Sequence, residues 1–446
     1  MKIHFIGVGG IGVSALAKYY LEKGHKISGS DLVSSEITDA LREKGVKILI
    51  GKHRVENLPK SADLVVYSPA ILPNNPELKR AKKLKIKCQS YPEALGELTK
   101  EYFTVAVCGS HGKSTVAAMI GVLLTKAGLD PTVIVGTKVK EFAPHQKGDG
   151  GGSNCRVGKS KYLVIEADEY FASFLNYWPK IIVLTTLEPD HLDYYKNFKN
   201  YLKAFQKFIS HLPKNGILVA NKDDRNTYNT FSTAVKNVLW YSLKQKEAGK
   251  IRRILKVPGE HNVSNALAVL AVAWILRVPD KISFKVLSEY RGSWRRFDVV
   301  EAELRRHQRG KTRKIIIVSD YAHHPTQIRV TLKAAREKFP KKEIWCIFQP
   351  HQYQRTYYLW NDFVKVLKKV PVDKLIITDI YSVTGRESKE IKKKVSSEKL
   401  VKAINKNAEY IPSIKKVANY LKKNLKGGEV VIIMGAGDIY DLANIL

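Results

Sequence analysis

Short apolar runs alternate with amphipathic segments along this chain, and the alternation predicts its secondary structure. Runs of about 4–8 apolar residues are typical of buried strands, whereas apolar positions three and four apart indicate helices. In the first hundred residues the pattern predicts strands at 2–6, 26–30 and 62–67 and helices at 12–23 and 36–44. Strands separated by helices indicate a doubly wound, mostly parallel sheet.

The same alternation continues in two further segments of the chain. We predict strands at 103–107, 162–166, 181–185, 314–319, 343–348, 374–378 and 430–434, and helices at 114–127, 200–211 and 262–276. Residues 148–153 are rich in glycine and predict a flexible loop. The predicted fold class is therefore α/β, with three consecutive domains of mostly parallel sheets at 1–100, 101–291 and 292–446.

The composition is that of a globular protein, but the charge is unusual. The 446 residues are 44% hydrophobic and 26% charged, and 76 Lys and Arg against 42 Asp and Glu give a net charge of +34. This charge favours polyanionic partners, either nucleic acid or phosphate-rich small molecules, although a lysine-rich surface that serves only solubility explains it as well. The lysine runs are short and lack interleaved aromatic residues, which is more typical of solvated helix faces than of an RNA-binding surface.

Three further features indicate a cytosolic protein. The four cysteines are scattered and form no C-x-x-C pair, which argues against a disulfide framework or a structural zinc site. The segment 1–17 imitates a signal peptide, but its four glycines would break the helix that such a peptide needs. No apolar run reaches 18 residues, so we expect no membrane span.

The first glycine-rich loop predicts a nucleotide site. Gly7-Val-Gly9-Gly10-Ile11-Gly12 fits G-x-G-x-x-G between a predicted strand and a helix, where backbone N–H groups can approach a phosphate. Asp31 lies 19 residues further on, where an acidic residue often binds a ribose. On this loop alone, NAD or FAD, another nucleotide, or a purely structural turn all remain open, and so does an NAD-dependent oxidoreductase.

The second glycine-rich loop favours ATP. Gly109-Ser110-His111-Gly112-Lys113-Ser114-Thr115 follows a predicted strand and precedes a helix, as a phosphate-binding loop does. Lys113 can reach the β- and γ-phosphates, and the Ser114 hydroxyl can bind Mg²⁺. The strict Walker pattern fails, because Val107 occupies the position of its first glycine.

Acidic residues and one histidine mark a candidate cation site. Glu166, Asp168 and Glu169 come at the end of a predicted strand, and buried carboxylates need a metal ion or a counter-charge. His191 is surrounded in sequence by Glu188, Asp190 and Asp193, which favours a metal site over a structural histidine. A solvated strand end is the alternative for the carboxylates.

Taken together and in order, the motifs of this chain resemble those of the Mur ligases of peptidoglycan synthesis. The matching segments span the chain: GVGGIGVSALA at 7–17, GSD at 29–31, GSHGKST at 109–115, YLVIEADE at 162–169, LEPDHLD at 187–193, PGEHNVSNALA at 258–268, RRFD at 295–298, DYAHHPTQI at 320–328, FQPHQYQRT at 348–356 and GAGDI at 435–439. The resemblance is closest to members that add L-alanine to UDP-N-acetylmuramic acid, and it implies a Rossmann-like first domain, a P-loop ATPase-like central domain and a Rossmann-like third domain.

The resemblance implies that the first loop binds the UDP part of that substrate rather than NAD. The implied contacts are Gly9, Gly10, Ile11, Gly12, Ser14, Ser30 and Asp31. It also implies that the lactyl carboxylate attacks ATP to give an acyl phosphate, which the amino group of alanine then attacks.

The resemblance assigns the ATP site to residues of the second and third domains. It implies that Lys113, Glu166, His191 and Arg296 are catalytic, and that Ser114, Glu166 and His191 hold Mg²⁺ or Mn²⁺. The remaining ATP contacts that it implies are Gly109, Ser110, His111, Gly112, Thr115, His261, Asn262, Asn265 and Asp320. Helix capping is the alternative role for the asparagines.

The resemblance places the amino-acid site at His323 and Arg355, where a cation must hold the carboxylate of alanine. The chain departs from the family pattern P-H-R-Y-x-R here, because Gln352 stands where the family has an arginine. One of two guanidinium groups is therefore missing, which leaves the selectivity for the amino acid open.

Three other interpretations compete with this one. The nearest is a sister ligase that joins a recycled murein tripeptide to the same nucleotide sugar, favoured by the segments at 166–170 and 177–179. An NAD-dependent oxidoreductase explains only the first loop, and a basic nucleic-acid-binding protein explains only the charge. We expect small-molecule substrates, no nucleic-acid or membrane partner, and a monomer or homodimer.

Overall fold

The computed structural model of the chain describes residues 1–142, 152–305, 312–383, 387, 389–405 and 408–446. Most of the loop predicted at 148–153 therefore lies outside the described residues. Within them, the apolar runs form the centres of three sheets, as expected for strands that are buried on both faces.

The first sheet is parallel, with strand order β3-β2-β1-β4-β5. Its strands are β1 (Lys2–Ile6), β2 (Lys26–Asp31), β3 (Lys47–Ile50), β4 (Leu64–Tyr67) and β5 (Lys87–Ser90), and its helices are α1 (Ile11–Glu22), α2 (Glu36–Glu43), α3 (Pro76–Lys83) and α4 (Tyr91–Glu101). The order reverses beside β1, and ligands of open α/β sheets bind at such a switch point, at the carboxyl ends of the strands.

The second sheet has strand order β12-β11-β10-β6-β9-β7-β8. Its strands are β6 (Phe103–Cys108), β7 (Thr132–Val139), β8 (Ser153–Arg156), β9 (Tyr162–Glu166), β10 (Ile181–Leu184), β11 (Ile217–Asn221) and β12 (Val238–Tyr241). The helices of this part of the chain are α5 (Lys113–Lys126), α6 (Leu192–Tyr195), α7 (Phe198–Ile209), α8 (Arg225–Phe231), α9 (Lys246–Ile254), α10 (Glu260–Ile275) and α11 (Asp280–Glu289). Strand β8 runs antiparallel to β7, and the other described pairs are parallel.

The third sheet has strand order β13-β14-β18-β15-β16-β17, and its one described antiparallel pair is β13 with β14. Its strands are β13 (Asp298–Arg305), β14 (Thr312–Asp320), β15 (Ile344–Phe348), β16 (Lys374–Ile377), β17 (Ala408–Tyr410) and β18 (Val430–Met434). Its helices are α12 (Pro325–Lys338), α13 (Tyr353–Tyr358), α14 (Trp360–Leu367), α15 (Lys389–Lys394), α16 (Ser397–Ile404), α17 (Ile414–Asn424) and α18 (Leu442–Ile445). Successive residues of β15 point to opposite faces of the sheet, so that Cys346 and Ile347 enter separate apolar clusters.

The chain divides into two compact units. The first consists of Met1–Glu188, Lys199–Ile254 and Ser264–Glu289, and the second of Pro189–Phe198, Leu255–Val263 and Tyr290–Leu446. The three mostly parallel sheets confirm the predicted α/β fold class. Among the described residues, no helix combines the length and apolar character that crossing a bilayer requires.

Candidate functional site

The first glycine loop connects β1 to α1 and is held by Asp31. Gly7 has φ +76°, a left-handed conformation that favours glycine. The backbone N–H of Gly9 donates to Asp31 Oδ2 at 2.7 Å, and a Cβ on Gly9 would lie only 2.9 Å from that oxygen. Asp31 ends β2 as predicted, and its carboxylate fixes the loop against the second strand.

The hydroxyl groups of Ser14 and Ser30 are buried and have protein partners. Ser14 Oγ donates to the Ile11 carbonyl at 3.0 Å and accepts from Asn154 Nδ2 at 2.9 Å. Ser30 Oγ donates to Glu77, with distances of 2.8 and 2.9 Å to the two carboxylate oxygens. Contact of either serine with a uridine diphosphate stays a prediction.

Glu77 is the centre of a buried polar cluster that the sequence analysis did not find. Its carboxylate lies 2.9 Å from His4 Nε2 and 2.6 Å from His53 Nδ1, and it accepts from Asn57 Nδ2 at 3.1 Å. Burial opposes the charged form, but these bonds outweigh burial and lower the pKa of Glu77 to about 2. The cluster joins β1 and β2 to the start of α3, directly beside Asp31.

The second glycine loop turns sharply between β6 and α5. Gly109 has φ +126°, and a Cβ there would lie 2.2 Å from Thr185 Oγ1. Gly112 has φ +85°, and its Cβ would lie 2.6 Å from Asn265 Oδ1. Helix α5 begins at Lys113, so its first backbone N–H groups and the positive end of its dipole face the loop. This arrangement is suited to a phosphate group.

Lys113 is paired with Glu169 beneath this loop. Its Nζ donates to the Gly109 carbonyl at 2.7 Å and lies 2.8 Å from Glu169 Oε2. Burial disfavours the ammonium form, but the carboxylates of Glu169, Asp168 and Glu166 outweigh it and raise the pKa of Lys113 above its usual range. Lys113 therefore stays a cation at neutral pH.

Ser114 and Glu166 form a set of oxygen donors beside Lys113. Ser114 Oγ donates to Glu166 Oε1 at 2.9 Å, and Glu166 Oε2 accepts from the Gly136 N–H at 2.8 Å. A hydroxyl and a carboxylate are ligands that Mg²⁺ prefers, so these two residues fit the predicted metal. His111, on the same loop, lies 2.9 Å from Glu188.

The other predicted ATP residues divide between the two units. Asn265 belongs to the first unit, beside Gly112, whereas His191, His261, Asn262, Arg296 and Asp320 belong to the second. Burial lowers the pKa of His261 to about 4, which keeps the imidazole neutral. Asn262 Nδ2 donates to the Pro258 carbonyl at 2.7 Å.

Asp320 and Arg296 are neighbours within the second unit. Asp320 accepts from the backbone N–H groups of Phe297 and Ala322 at 2.8 and 2.9 Å, and burial raises the pKa of its carboxyl group. The guanidinium of Arg296 lies 4.8 Å from the centre of the Tyr321 ring. The structure therefore brings these two predicted residues together.

Arg355 lies at the centre of a cluster of basic side chains in the second unit. Its Nε donates to Asp190 Oδ1 at 3.2 Å, and its Nη1 lies 3.3 Å from His351 Nδ1. The His323 ring lies 5.8 Å from the His351 ring, so both predicted amino-acid-site residues belong to this cluster. Burial lowers the pKa of His323 well below its usual range, and the Arg355 guanidinium adds to the effect.

Asp190 and Gln352 complete the surroundings of Arg355. Burial opposes the charged form of Asp190, but the positive groups around it, Arg355 foremost, hold the pKa of its carboxyl group well below the usual range. Gln352 Oε1 accepts from Arg355 Nη1 at 3.4 Å. The sequence placed Asp190 only among the acidic neighbours of His191 and gave no sign that it pairs with an arginine 165 residues away.

Three models of one protein family match consecutive parts of the chain. The Mur ligase family catalytic domain matches residues 2–103, the Mur ligase middle domain matches 107–273, and the Mur ligase glutamate ligase domain matches 303–437. These matches follow the three sheets in order. They support the three-domain α/β architecture that the sequence predicts.

Curated relatives match the chain over nearly its whole length. The UDP-N-acetylmuramate–L-alanine ligase of Acetivibrio thermocellus is 42% identical, over 98% of this chain and 94% of the relative. The enzyme of the same name from Caldanaerobacter subterraneus subsp. tengcongensis is 40% identical, over 99% of this chain and 96% of the relative.

Solved structures show the same architecture. A UDP-N-acetylmuramate-alanine ligase from Thermotoga maritima aligns with a TM-score of 0.78 and 28% identity, covering 100% of this chain and 98% of that one. A murein peptide ligase from Psychrobacter arcticus aligns with a TM-score of 0.72 at 22% identity, covering 100% of this chain and 97% of that one, a level that shows a common fold. With all three family models matched in order and relatives of this identity over the full length, the chain belongs to the Mur ligase family.

Proposed function

We propose that this protein is an ATP-dependent ligase that joins L-alanine to the lactyl carboxylate of UDP-N-acetylmuramic acid, a step of peptidoglycan precursor synthesis. The observation that carries the proposal is the second glycine loop, where a buried lysine and a serine–glutamate pair meet at the start of α5. The names of the curated relatives supply the substrate class, and both relatives described above are alanine ligases.

The reaction proceeds in two steps. The lactyl carboxylate attacks the γ-phosphorus of ATP, the bond to the β-phosphate oxygen breaks, and an acyl phosphate and ADP form. The amino group of alanine then attacks the acyl carbon, inorganic phosphate leaves, and the ammonium proton passes to solvent. Lys113 and the N–H groups at the start of α5 stabilise the negative charge on the phosphates during the first step.

We propose that Ser114 and Glu166 hold Mg²⁺, or Mn²⁺ in its place. The family resemblance adds His191 as a further proposed ligand. A divalent cation at this position would neutralise charge on the transferred phosphoryl group. The Gly136 N–H that donates to Glu166 fixes one carboxylate oxygen and leaves the other directed at Ser114.

The substrate sites are assigned on the same basis. We propose that the loop of Gly9, Gly10, Ile11 and Gly12, with Ser14, Ser30 and Asp31, binds the UDP-sugar, and that His323 and Arg355 bind the carboxylate of alanine. His261, Asn262, Asn265, Arg296 and Asp320 are proposed to contact ATP. Domain boundaries near residues 100 and 291 are likewise part of the proposal, as is a cytoplasmic location, because the reaction consumes ATP.

The test is ADP release by the purified protein with ATP, Mg²⁺ and UDP-N-acetylmuramic acid, while the amine is varied among L-alanine, glycine, L-serine and the murein tripeptide. Turnover with L-alanine far above the other amines supports the proposal. Preference for the tripeptide would reassign the protein to the recycling reaction.

The Lys113→Ala variant is the control for this assay. We expect it to lose ADP formation and to bind UDP-N-acetylmuramic acid normally, because Lys113 lies in the second loop and not the first. Loss of both properties would contradict the assignment of two separate nucleotide sites.

A further inference from the structure

The ammonium group of Lys113 has a fully buried protein counter-ion. Its Nζ lies 2.8 and 3.1 Å from the two carboxylate oxygens of Glu169, whose side chain is 0% exposed. The same Nζ donates to the Gly109 carbonyl at 2.7 Å. An isolated buried charge is costly, so each partner holds the other in place.

Glu169 is in turn connected back to the glycine loop through Tyr201. The Tyr201 hydroxyl donates to Glu169 Oε1 at 3.3 Å and lies 2.9 Å from Ser110 Oγ. Ser110 Oγ also accepts from the Glu188 N–H at 2.8 Å and donates to the Glu188 carbonyl at 3.0 Å, which fixes the hydroxyl that Tyr201 contacts. Loop, lysine, glutamate and tyrosine therefore form a closed ring of polar contacts.

The Tyr201 ring is also fixed. Tyr201 lies in α7, is 0% exposed, and its ring centre is 4.9 Å from that of Phe205. Because the ring cannot move without disturbing this packing, the position of its hydroxyl is set by buried protein contacts and not by solvent.

We propose that Glu169 and Tyr201 are positioning residues that preset the Lys113 ammonium for the phosphates of ATP; this inference rests on the ATP-dependent function proposed above. A lysine side chain has several rotatable bonds, and ordering it during the reaction is costly. The ring orders it in advance at the start of α5, the position proposed for the phosphates. A displacement of about 1 Å at such a group can lower a rate about 100-fold.

An alternative role for Glu169 predicts a different effect of its neutralisation on ATP binding. If Glu169 were only a counter-ion that ATP must displace, its neutralisation would leave Lys113 uncompensated and ATP would bind more tightly. The positioning role predicts no gain in ATP affinity and a loss of kcat. Glu169→Gln therefore separates the two roles.

The first experiment is steady-state kinetics of Tyr201→Phe, which removes one hydroxyl and keeps the packed ring. We expect kcat to fall about tenfold, with the KM for ATP and for the UDP-sugar changed less than about twofold, because the hydroxyl touches neither ligand. Tyr241→Phe is the matched control, since Tyr241 is buried in the same unit and its hydroxyl bonds the Leu184 carbonyl, which is not part of the ring. A kcat for Tyr201→Phe equal to that of the control would overturn the proposal.

The second experiment is a double-mutant cycle of Tyr201→Phe with Glu169→Gln. We expect Glu169→Gln to lower kcat about 100-fold, and Tyr201→Phe to cause no further loss in that background, because the hydroxyl acts through the carboxylate. Multiplicative losses, or tighter ATP binding by Glu169→Gln in calorimetry, would overturn the proposal. If Glu169→Gln does not fold, the comparison of Tyr201→Phe with Tyr241→Phe still decides the proposal.

The two proposals fail in different ways. Absence of ADP release by the wild-type protein with every amine would remove the ATP-dependent function itself. An inactive Lys113→Ala together with a fully active Tyr201→Phe would remove only the positioning role.

Discussion

The buried carboxylate of Glu77 gives a prediction whose size follows from the structure. Its pKa is about 2 in the folded protein, against an ordinary value of 4.5, because the bonds from His4, His53, Ser30 and Asn57 outweigh burial. The difference between these two pKa values corresponds to about 3 kcal/mol in the free energy of unfolding at neutral pH. The Glu77→Gln variant keeps the shape of the side chain and removes the charge, so we expect it to lose about that much stability at pH 7.

The pH dependence fixes the sign of this prediction. A pKa that is lower in the folded state stabilises the fold above the ordinary pKa, and this contribution is lost as the pH falls through the folded value. The contribution of Glu77 should therefore be full above about pH 5 and fall to about 1 kcal/mol at pH 3. The difference in the free energy of unfolding between wild type and Glu77→Gln should therefore become smaller as the pH falls from about 5 to 3.

This difference in stability is measured by urea unfolding of both proteins, followed by circular dichroism, at several pH values between 7 and 3. Glu97→Gln is the control, because Glu97 lies on helix α4 beside the same sheet, is half exposed, and pairs with Lys100 one turn away at the surface. We expect little change for the control. If the loss of stability in Glu77→Gln stays constant with pH, or is no larger than that of the control, the buried charge does not stabilise the fold.

Three other predictions concern the sites directly. Gly112→Ala should lower kcat/KM for ATP at least about 100-fold, because its Cβ would meet Asn265 at 2.6 Å, whereas Gly24→Ala, also at positive φ but with open space around it, should leave these kinetics unchanged. Arg355→Lys should raise the KM for alanine about tenfold and leave that for ATP unchanged, since lysine cannot bind a carboxylate through two parallel hydrogen bonds; equal rises would mean that Arg355 is structural. Chelation with EDTA should abolish ADP release and spare UDP-sugar binding, and either Mg²⁺ or Mn²⁺ should restore it; activity that survives EDTA would exclude the proposed metal site.

The strands that could be predicted from the sequence are those buried on both faces. Strands β10 and β18 are continuous apolar runs, strands β1, β6 and β9 are mostly apolar, and all five lie in the interior of their sheets. One edge strand carries no such signal. Strand β5 has the sequence KCQS and lies at the edge of the first sheet, where one side is free and polar residues are tolerated.

Some parts of the candidate site are specified by local sequence patterns, and others are formed by residues far apart in the sequence. Both glycine loops could be predicted, because a loop, the helix that follows it and the lysine or serine at its start are contiguous in sequence. The pairing of Lys113 with Glu169 spans 56 residues, and the contact of Ser110 with Tyr201 spans 91. Such pairs are created by the order of strands β6, β9 and β10 in the sheet, which no local pattern specifies.

The departure at Gln352 takes on a different meaning once its position is known. From the sequence, this glutamine means the loss of one of two guanidinium groups that could hold a carboxylate. In the structure its side chain is buried and lies against Arg355, whose guanidinium already contacts Asp190 and His351. A second arginine at this position would place two buried cations side by side, each disfavouring the charge of the other. Gln352 instead offers Arg355 a neutral acceptor, and under the proposed role of Arg355 the amino-acid carboxylate would meet a single guanidinium that Asp190 and Gln352 orient together.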